Sequence, residues 1–350
     1  MKKVFKFSLI GLFAFLFVFG ALVAVKSLFF DNGISALARS GEGETATDGL
    51  PTSGSGQRHN FLVLGRDNVS GLQDMMMLAS YDEKNGTVSI VQIPRDTYAE
   101  FSSGSYKKIN GAVSALGSEE ALCDFLSEAL SVPIDYYISL DLDAVGDIVD
   151  ALGGIEIEVP FDMDYEDPAQ NLSIHIKKGK NTLDGKTARQ FVRYRSGYVR
   201  GDVGRIDAQK LFLAALIKKV KSGISFTEAA RIAIKMFDDI ETNIAFDDMT
   251  KLIGGALAVE SENISIVTLA GEEATATSSG ASYYVMSRPS AIKIMNEHLG
   301  GSATEENFDT GRVFLNEKYD EFERIYETPA EYKVYNAKSI LEEGIDIASK

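Results

Sequence analysis

The chain has 350 residues, with 51 acidic against 35 basic side chains and a formal net charge of -16, which excludes a bulk attraction to nucleic acid. A single cysteine, Cys123, excludes an internal disulfide, and it sits in an apolar pattern as a core thiol would. Three histidines, His59, His175 and His298, none with a second ligand at zinc spacing, exclude a zinc hydrolase, and no G-x-S-x-G elbow is present.

Lys2, Lys3 and Lys6 precede nineteen uncharged, mostly apolar residues, Phe7 to Val25. At about 1.5 Å per residue, such a helix crosses about 30 Å of hydrocarbon. Lysines before it and an acidic chain after it place residues 1–6 in the cytoplasm and the bulk outside. The run is longer than a secretory signal's apolar region, and no small-x-small cleavage site follows Val25, so residues 7–25 are expected to remain as a single-pass transmembrane helix. Residues 26–58, rich in Gly, Ser and Thr, read as a flexible linker lifting the rest off the membrane.

NFLVLG then reads as a buried strand, and MMMLASYDEKNGTVSIVQIP as two strands joined by a tight hairpin at Asn85-Gly86. Ser118 with Glu119 and Glu120 predicts a helix start, and Leu122, Phe125, Leu126, Ala129 and Leu130 line one face up to Pro133. IDYYISLD is a strand, residues 142–152 a helix, and IEIEV a half-exposed strand. Helices are expected over 202–221, with a stripe at Ile206, Leu213, Leu216, Ile217 and Val220, and after a capping box at Ser225 and Glu228. NISIVTL and SYYVMS close the pattern as strands, followed by a helix over 289–299. The interleaving predicts an α/β fold, a single extracytoplasmic domain over residues 59–300 with a mixed central β-sheet covered by helices. Residues 301–350, acidic and aromatic with weak periodicity, read as a peripheral C-terminal appendage.

Five of thirteen arginines, Arg189, Arg193, Arg195, Arg200 and Arg205, fall within seventeen residues. Guanidinium forks bind phosphate oxygens bidentately, so a cationic knot in an anionic chain points to a phosphorylated ligand. The competing reading is a helix face paired with acids. Arg193 and Arg195 share a side if extended, Arg205 and Gln209 share a helical face, and Gly197, Gly201 and Gly204 allow close backbone approach, all of which favour the anion site. GKNTLDGKT is not a phosphate loop, because five residues separate Gly179 from Gly185 where the loop needs four. Asp67 and Asp74 bracket a strand end, where loop acids can converge on Mg²⁺ or simply be solvated. Arg95 beside Asp96, and Lys107 and Lys108 near a helix start, have a surface pairing or solvation as their simplest reading.

In VLGRD, QDMMMLASYD, VSIVQIPRDTY, YKKINGA, VPIDYYISLDL, VDALGGIEIEVP, LDGKTARQFVRYR and GDVGRIDAQK, taken in this order over about residues 60–220, the chain resembles the LytR–CpsA–Psr family of membrane-anchored cell-wall phosphotransferases, with fainter similarity to about residue 300. The resemblance implies Mg²⁺ held by Asp67 and Asp74. It implies pyrophosphate gripped by Arg95, Arg193, Arg195 and Arg205, with Asp202 and Gln209 beside them and Lys108 in the pocket. The family's arginine before the second aspartate, in R-x-D-T, is missing from Leu72-Gln73-Asp74-Met75, and Arg66 is the substitute cation nearest in sequence. The implied activity is transfer of an anionic glycopolymer phosphate, such as teichoic acid or capsular polysaccharide, from an undecaprenyl-pyrophosphate carrier to a peptidoglycan hydroxyl at the cell membrane. Asp96 and Asp202 are the candidates for receiving the hydroxyl proton. A polyprenyl-pyrophosphate hydrolase and a non-catalytic receptor for lipid-linked polymer are the alternatives.

Overall fold

The structure, a computed structural model, describes residues 57–66, 71–101, 107–141, 144–167, 172–194, 196–199, 201–221, 240–244, 252, 259–315 and 322–347. In chain order the elements are β1 (Arg58–Arg66), β2 (Gln73–Asp82), β3 (Thr87–Ile93), α1 (Ala112–Leu116), α2 (Glu119–Leu130), β4 (Tyr136–Asp141), α3 (Ala144–Ala151), β5 (Ile155–Val159), β6 (Met163–Asp167), β7 (Leu172–Ile176) and β8 (Gly179–Leu183). There follow α4 (Gly185–Arg193), α5 (Gly201–Lys221), β9 (Ile240–Thr242), β10 (Ile264–Thr268), β11 (Gly271–Thr275), β12 (Ser282–Met286), α6 (Arg288–Leu299), α7 (Glu323–Glu327), β13 (Val334–Asn336) and α8 (Ala337–Glu343). The apolar stretch 7–25, most of the expected linker and the expected helix after Ser225 lie outside the described residues. Among the described residues, no helix is long and apolar enough to cross a membrane.

Seven strands form one mixed sheet in the order β13-β10-β3-β2-β1-β4-β9. β1 is parallel to β4 and β3 to β10, while β2 runs antiparallel between β1 and β3. Both faces of the sheet are covered, so its central strands are apolar without alternation. Phe61 and Val63 of β1 pack with Val149, Phe191 and Phe212, contributed by α3, α4 and α5. Leu62 and Leu64, one residue out of step, pack instead with Leu126 of α2 and Ile294 of α6. IEIEV, by contrast, alternates buried and exposed residues, as expected for a strand with one wet face. Its partner is β8, so Gly179–Leu183 is strand rather than phosphate loop.

Local chemistry sets the boundaries. Ser118 caps α2 by accepting from the Ala121 backbone N–H at 3.1 Å, and Ser131 ends it in the left-handed region at φ 52°. Asp184 and Thr187 cap α4 reciprocally. The β2–β3 connection is four residues, Glu83 to Gly86, rather than a two-residue turn at Asn85-Gly86. Asp82 accounts for the extra length. It accepts from the Asn85 backbone N–H at 3.0 Å and its side chain at 2.8 Å, and Gly86 closes the turn at φ +59°. Arg58, placed at the linker's end from sequence, is the first residue of β1 and pairs with Asp82 at 2.5 Å.

Residues after 300 are not a peripheral appendage. β13 extends the central sheet along β10, Ile340 of α8 joins the core beneath α5, and Phe308, Phe314 and Phe322 are fully buried. The Phe322 ring meets Tyr98 at 6.1 Å and Tyr283 at 6.0 Å between centroids. Periodicity fails here because single aromatics, rather than an amphipathic element, carry the burial.

Asp309 anchors this segment. Its carboxyl accepts from the backbone N–H of Val313 at 2.7 Å and of Phe314 at 3.3 Å, and from the Tyr326 hydroxyl. Burial nevertheless outweighs these bonds and pushes its pKa up to about 6. A folded pKa above the unfolded value means that the native state holds the proton more tightly. The stabilisation is therefore full below about pH 4 and is lost as pH rises through about 6. Urea titrations of the wild type and Asp309→Asn at pH 4.5 and 7.5 should show the wild type losing stability relative to the variant at the higher pH. A pH-independent difference would contradict the buried acid.

Candidate active site

Strand β3 ends at Ile93 and Pro94 turns the chain, with the Pro94 carbonyl accepting from Thr97 N–H at 3.0 Å and its hydroxyl at 2.6 Å. The segment then pairs back on residues 107–111. Ile109 N–H donates to the Thr97 carbonyl at 2.8 Å, and Asn110 N–H to the Arg95 carbonyl at 3.2 Å. This pairing brings Arg95 and Lys108 to one place. Asp96 lies between them, accepting from Lys108 Nζ at 3.1 Å and standing 3.8 Å from Arg95 Nε. Lys108 also lies over the Tyr283 ring, 5.6 Å from its centroid. The structure thus gives Asp96 and Lys108 to each other, where solvation was the simplest sequence reading.

Arg95 makes its short bond elsewhere, with Nη1 donating to Asp74 Oδ1 at 2.6 Å. Asp74 is the second residue of β2, buried at 7% exposure, rather than a solvated loop acid. Arg66 does not supply a charge here. It reaches the other way, across β4, to Glu241 at 3.3 Å, in an exposed pair of the kind worth about 0–1 kcal/mol.

The third wall is α5. Arg205 and Gln209, one turn apart, are both buried, and Gln209 Nε2 donates to the Val192 carbonyl at 3.4 Å. Asp74, Met75, Met76, Gln92, Ile93, Arg95, Arg205, Ile206 and Gln209 line a single pocket where β3 ends and α5 begins. Of the sequence candidates, the structure therefore joins Asp74, Arg95, Arg205 and Gln209 directly, and Lys108 through Asp96. Arg193 is half-buried at the last position of α4, and position 202 falls in the first turn of α5. Asp67 and Arg195 lie outside the described residues.

Two features differ from expectation. Gly197 and Gly204 are not openings for a ligand. A Cβ on Gly197 would stand 2.6 Å from the Tyr194 hydroxyl, and one on Gly204 2.6 Å from the Tyr198 Cβ. Both glycines admit the cluster of Phe161, Tyr194 and Tyr198, in which burial raises the Tyr198 phenol's pKa against the pull of Arg205. Space for an anion is offered by the pocket and not by these glycines. Gln92, hidden in the apolar-looking run VSIVQIP, also lines that pocket and was missed. A glutamine at a buried strand position is the signal that could have found it.

Chemically, the buried Arg205, the half-buried Arg95 and the carboxamides of Gln92 and Gln209 around one pocket suit an oxyanion such as a phosphate. Asp74 offers one buried carboxylate, and among the described residues no group of three or more His, Cys, Asp or Glu could hold a metal. That donor set fits Mg²⁺, which takes one or two carboxylates plus phosphate oxygens and water, better than a closed protein cage.

The chain thus combines a mixed α/β sheet with an arginine-lined pocket at its strand ends. The LytR_cpsA_psr family model matches residues 33–299, and the chain belongs to that family. It is 32% identical over 236 residues to the polyisoprenyl-teichoic acid–peptidoglycan teichoic acid transferase TagV of Bacillus subtilis, covering 65% of this chain and 60% of that protein. It is 31% identical over 194 residues to the transferase of the same description, TagU, from that organism, covering 54% of this chain and 61% of the relative. The chain thus spans about 60% of the length of these curated relatives. The crystal structure of B. subtilis TagV superposes with a TM-score of 0.59 at 29% identity, covering 71% of this chain and all of that one.

The Asp74–Arg95 pair makes a specific stability prediction. Removing one partner of a buried pair strands the other charge and costs about 3 kcal/mol or more, whereas replacing both with apolar groups restores most of the loss. Arg95→Met should therefore unfold at clearly lower urea than the wild type, and Asp74→Leu with Arg95→Met should recover. A single variant as stable as the wild type would show that the pair is not desolvated.

Proposed function

We propose that this protein transfers a glycopolymer phosphate from a polyprenyl-pyrophosphate carrier to a peptidoglycan hydroxyl. The observation that carries this reading is the convergence of Arg95, Arg205 and Gln209 on one pocket with buried Asp74. Membership of a family whose relatives TagV and TagU are named as teichoic acid transferases supports it.

In the reaction, the acceptor hydroxyl oxygen attacks the phosphorus nearer the polymer. That bond forms as the bridging oxygen departs with the polyprenyl phosphate, and the hydroxyl proton passes to a base. Charge builds on the bridging and non-bridging oxygens, and guanidinia already fixed around them stabilise it without reorganisation. Arg95 and Arg205 are assigned this role, with Arg193, Arg195 and Lys108 completing the clamp and Gln209 orienting a phosphoryl oxygen. Asp74, with Asp67, would hold Mg²⁺, whose charge neutralises the pyrophosphate. Asp74 is bonded to Arg95; were it to hold such a cation, it would give up that bond and leave the Arg95 guanidinium available to substrate. Asp202 and Asp96 are the candidate proton acceptors. The undecaprenyl form of the carrier, the retained anchor at residues 7–25 and the extracytoplasmic placement belong to the same proposal. The anchor would keep the pocket beside a donor that cannot leave the membrane.

Incubating the protein with labelled lipid-linked glycopolymer and peptidoglycan fragments tests the reading through its products. A joined product supports transfer, free polymer phosphate indicates hydrolysis, and binding without turnover indicates a receptor. Arg205→Met should slow joining by about 100-fold, the scale of one lost transition-state donor. Asp74→Ala or excess chelator should abolish it, and undiminished joining in either case would remove the metal from the proposal.

A further inference from the structure

Gln92 is 2% exposed, yet neither its Nε2 nor its Oε1 has a hydrogen-bond partner. It has the strand parity of Val88 and Ile90, on the sheet face covered by α5, and it lines the pocket with Arg95, Arg205 and Gln209. Its parallel neighbour on β10, Thr268, also carries a buried Oγ1 without a partner. Its antiparallel neighbour is Met77, a fully buried apolar residue. A methionine or leucine at position 92 would therefore continue the core, while a buried carboxamide with both atoms empty is costly. A neutral amide does not balance charge either. Its two empty atoms, one donor and one acceptor, describe the group that would complete them.

A phosphoryl oxygen only accepts, so it satisfies Nε2 and leaves Oε1 empty. A prenyl chain satisfies neither. A sugar joined to the phosphate carries hydroxyls that donate. Resting on the donor reading above, we infer that Gln92 binds the glycosyl phosphate of the donor, with Nε2 donating to a phosphoryl oxygen held by Arg95 and Arg205 and Oε1 accepting from a hydroxyl of the attached sugar. Thr268 Oγ1 lies beside Gln92 in the sheet register and outside the pocket lining. The charged residues thus hold the phosphate, and Gln92 distinguishes its glycosyl side from its prenyl side.

The test uses the full chain in detergent and two probes, farnesyl pyrophosphate and a polyprenyl-pyrophosphate-linked N-acetylhexosamine. Gln92→Leu and the unbranched Gln92→Met should bind the first about tenfold more weakly, having lost one bond to a charged group, and the second up to about a hundredfold more weakly. Melting temperatures should stay the same or rise, because a desolvated amide is gone. Unchanged affinity for both probes overturns the inference and leaves Gln92 as a residue served by trapped water. Equal losses for both probes overturn it too, removing the sugar contact. A wild type that binds neither probe is a different failure, which sinks the donor reading itself.

Discussion

A sheet covered by helices on both faces leaves room for charged side chains only toward the ends of its strands. Phe61 to Leu64 of β1 and Met75 to Leu78 of β2 are buried on both sides, so the middle of the sheet is closed to charge. Because β1, β3, β4 and β10 run the same way, their carboxyl ends gather on one edge, and β2 starts there. Asp74 at the head of β2 and Arg95 just past β3 are polar because they lie where the apolar layers stop. The carboxyl ends of parallel strands are where open α/β sheets take ligands, and the start of α5 closes the space above them.

Register decides which residues meet at that edge. A two-residue turn at Asn85-Gly86, the reading the dipeptide suggests, would put Met76 opposite Arg95. The four-residue turn capped by Asp82 pairs Met76 with Ile93, where the ladder ends, and just beyond it Arg95 reaches Asp74 through its side chain. The shift is even, so every side chain keeps its face and the hydrophobic pattern is blind to it. The central strands and the helices at Glu119–Leu130, Ala144–Ala151, Gly201–Lys221 and Arg288–Leu299 were therefore legible from periodicity and caps, α4 was not, and the shared face of Arg205 and Gln209 was legible from their four-residue spacing. The Asp74–Arg95 contact was not legible, because it depends on turn chemistry. The β6–β7 hairpin and β13 were missed for simpler reasons. Their strands are short, and in MDYED apolar residues alternate with acids over only five positions.

Charge is distributed in two ways across this acidic protein. Away from the pocket, cations pair with neighbouring acids near the surface, as in Lys107 with Glu100 at 3.3 Å and Arg288 with Glu327 at 3.4 Å. In the first half of α5, Arg205, Asp207 and Lys210 turn inward instead. One residue past Gln209, Lys210 pairs with Asp207 at 2.8 Å, both nearly fully buried, and lies 5.3 Å from the centre of the Tyr335 ring. The pair lies within α5 and turns with it, whereas the Lys210–Tyr335 contact reaches outside the helix and so bears on its rotation about its own axis. Rotation is the degree of freedom that aims Arg205 and Gln209.

Tyr335 belongs to β13, so the aim of α5 is set partly by residues that lie beyond position 299, where the match to the family ends. The last strand also covers the outer edge of β10, whose backbone would otherwise present an unpaired row of donors and acceptors. Trimming the protein to its family boundary would thus do more than shorten it. It would leave an adhesive sheet margin open to other copies, turning a paired seam into a template for aggregation.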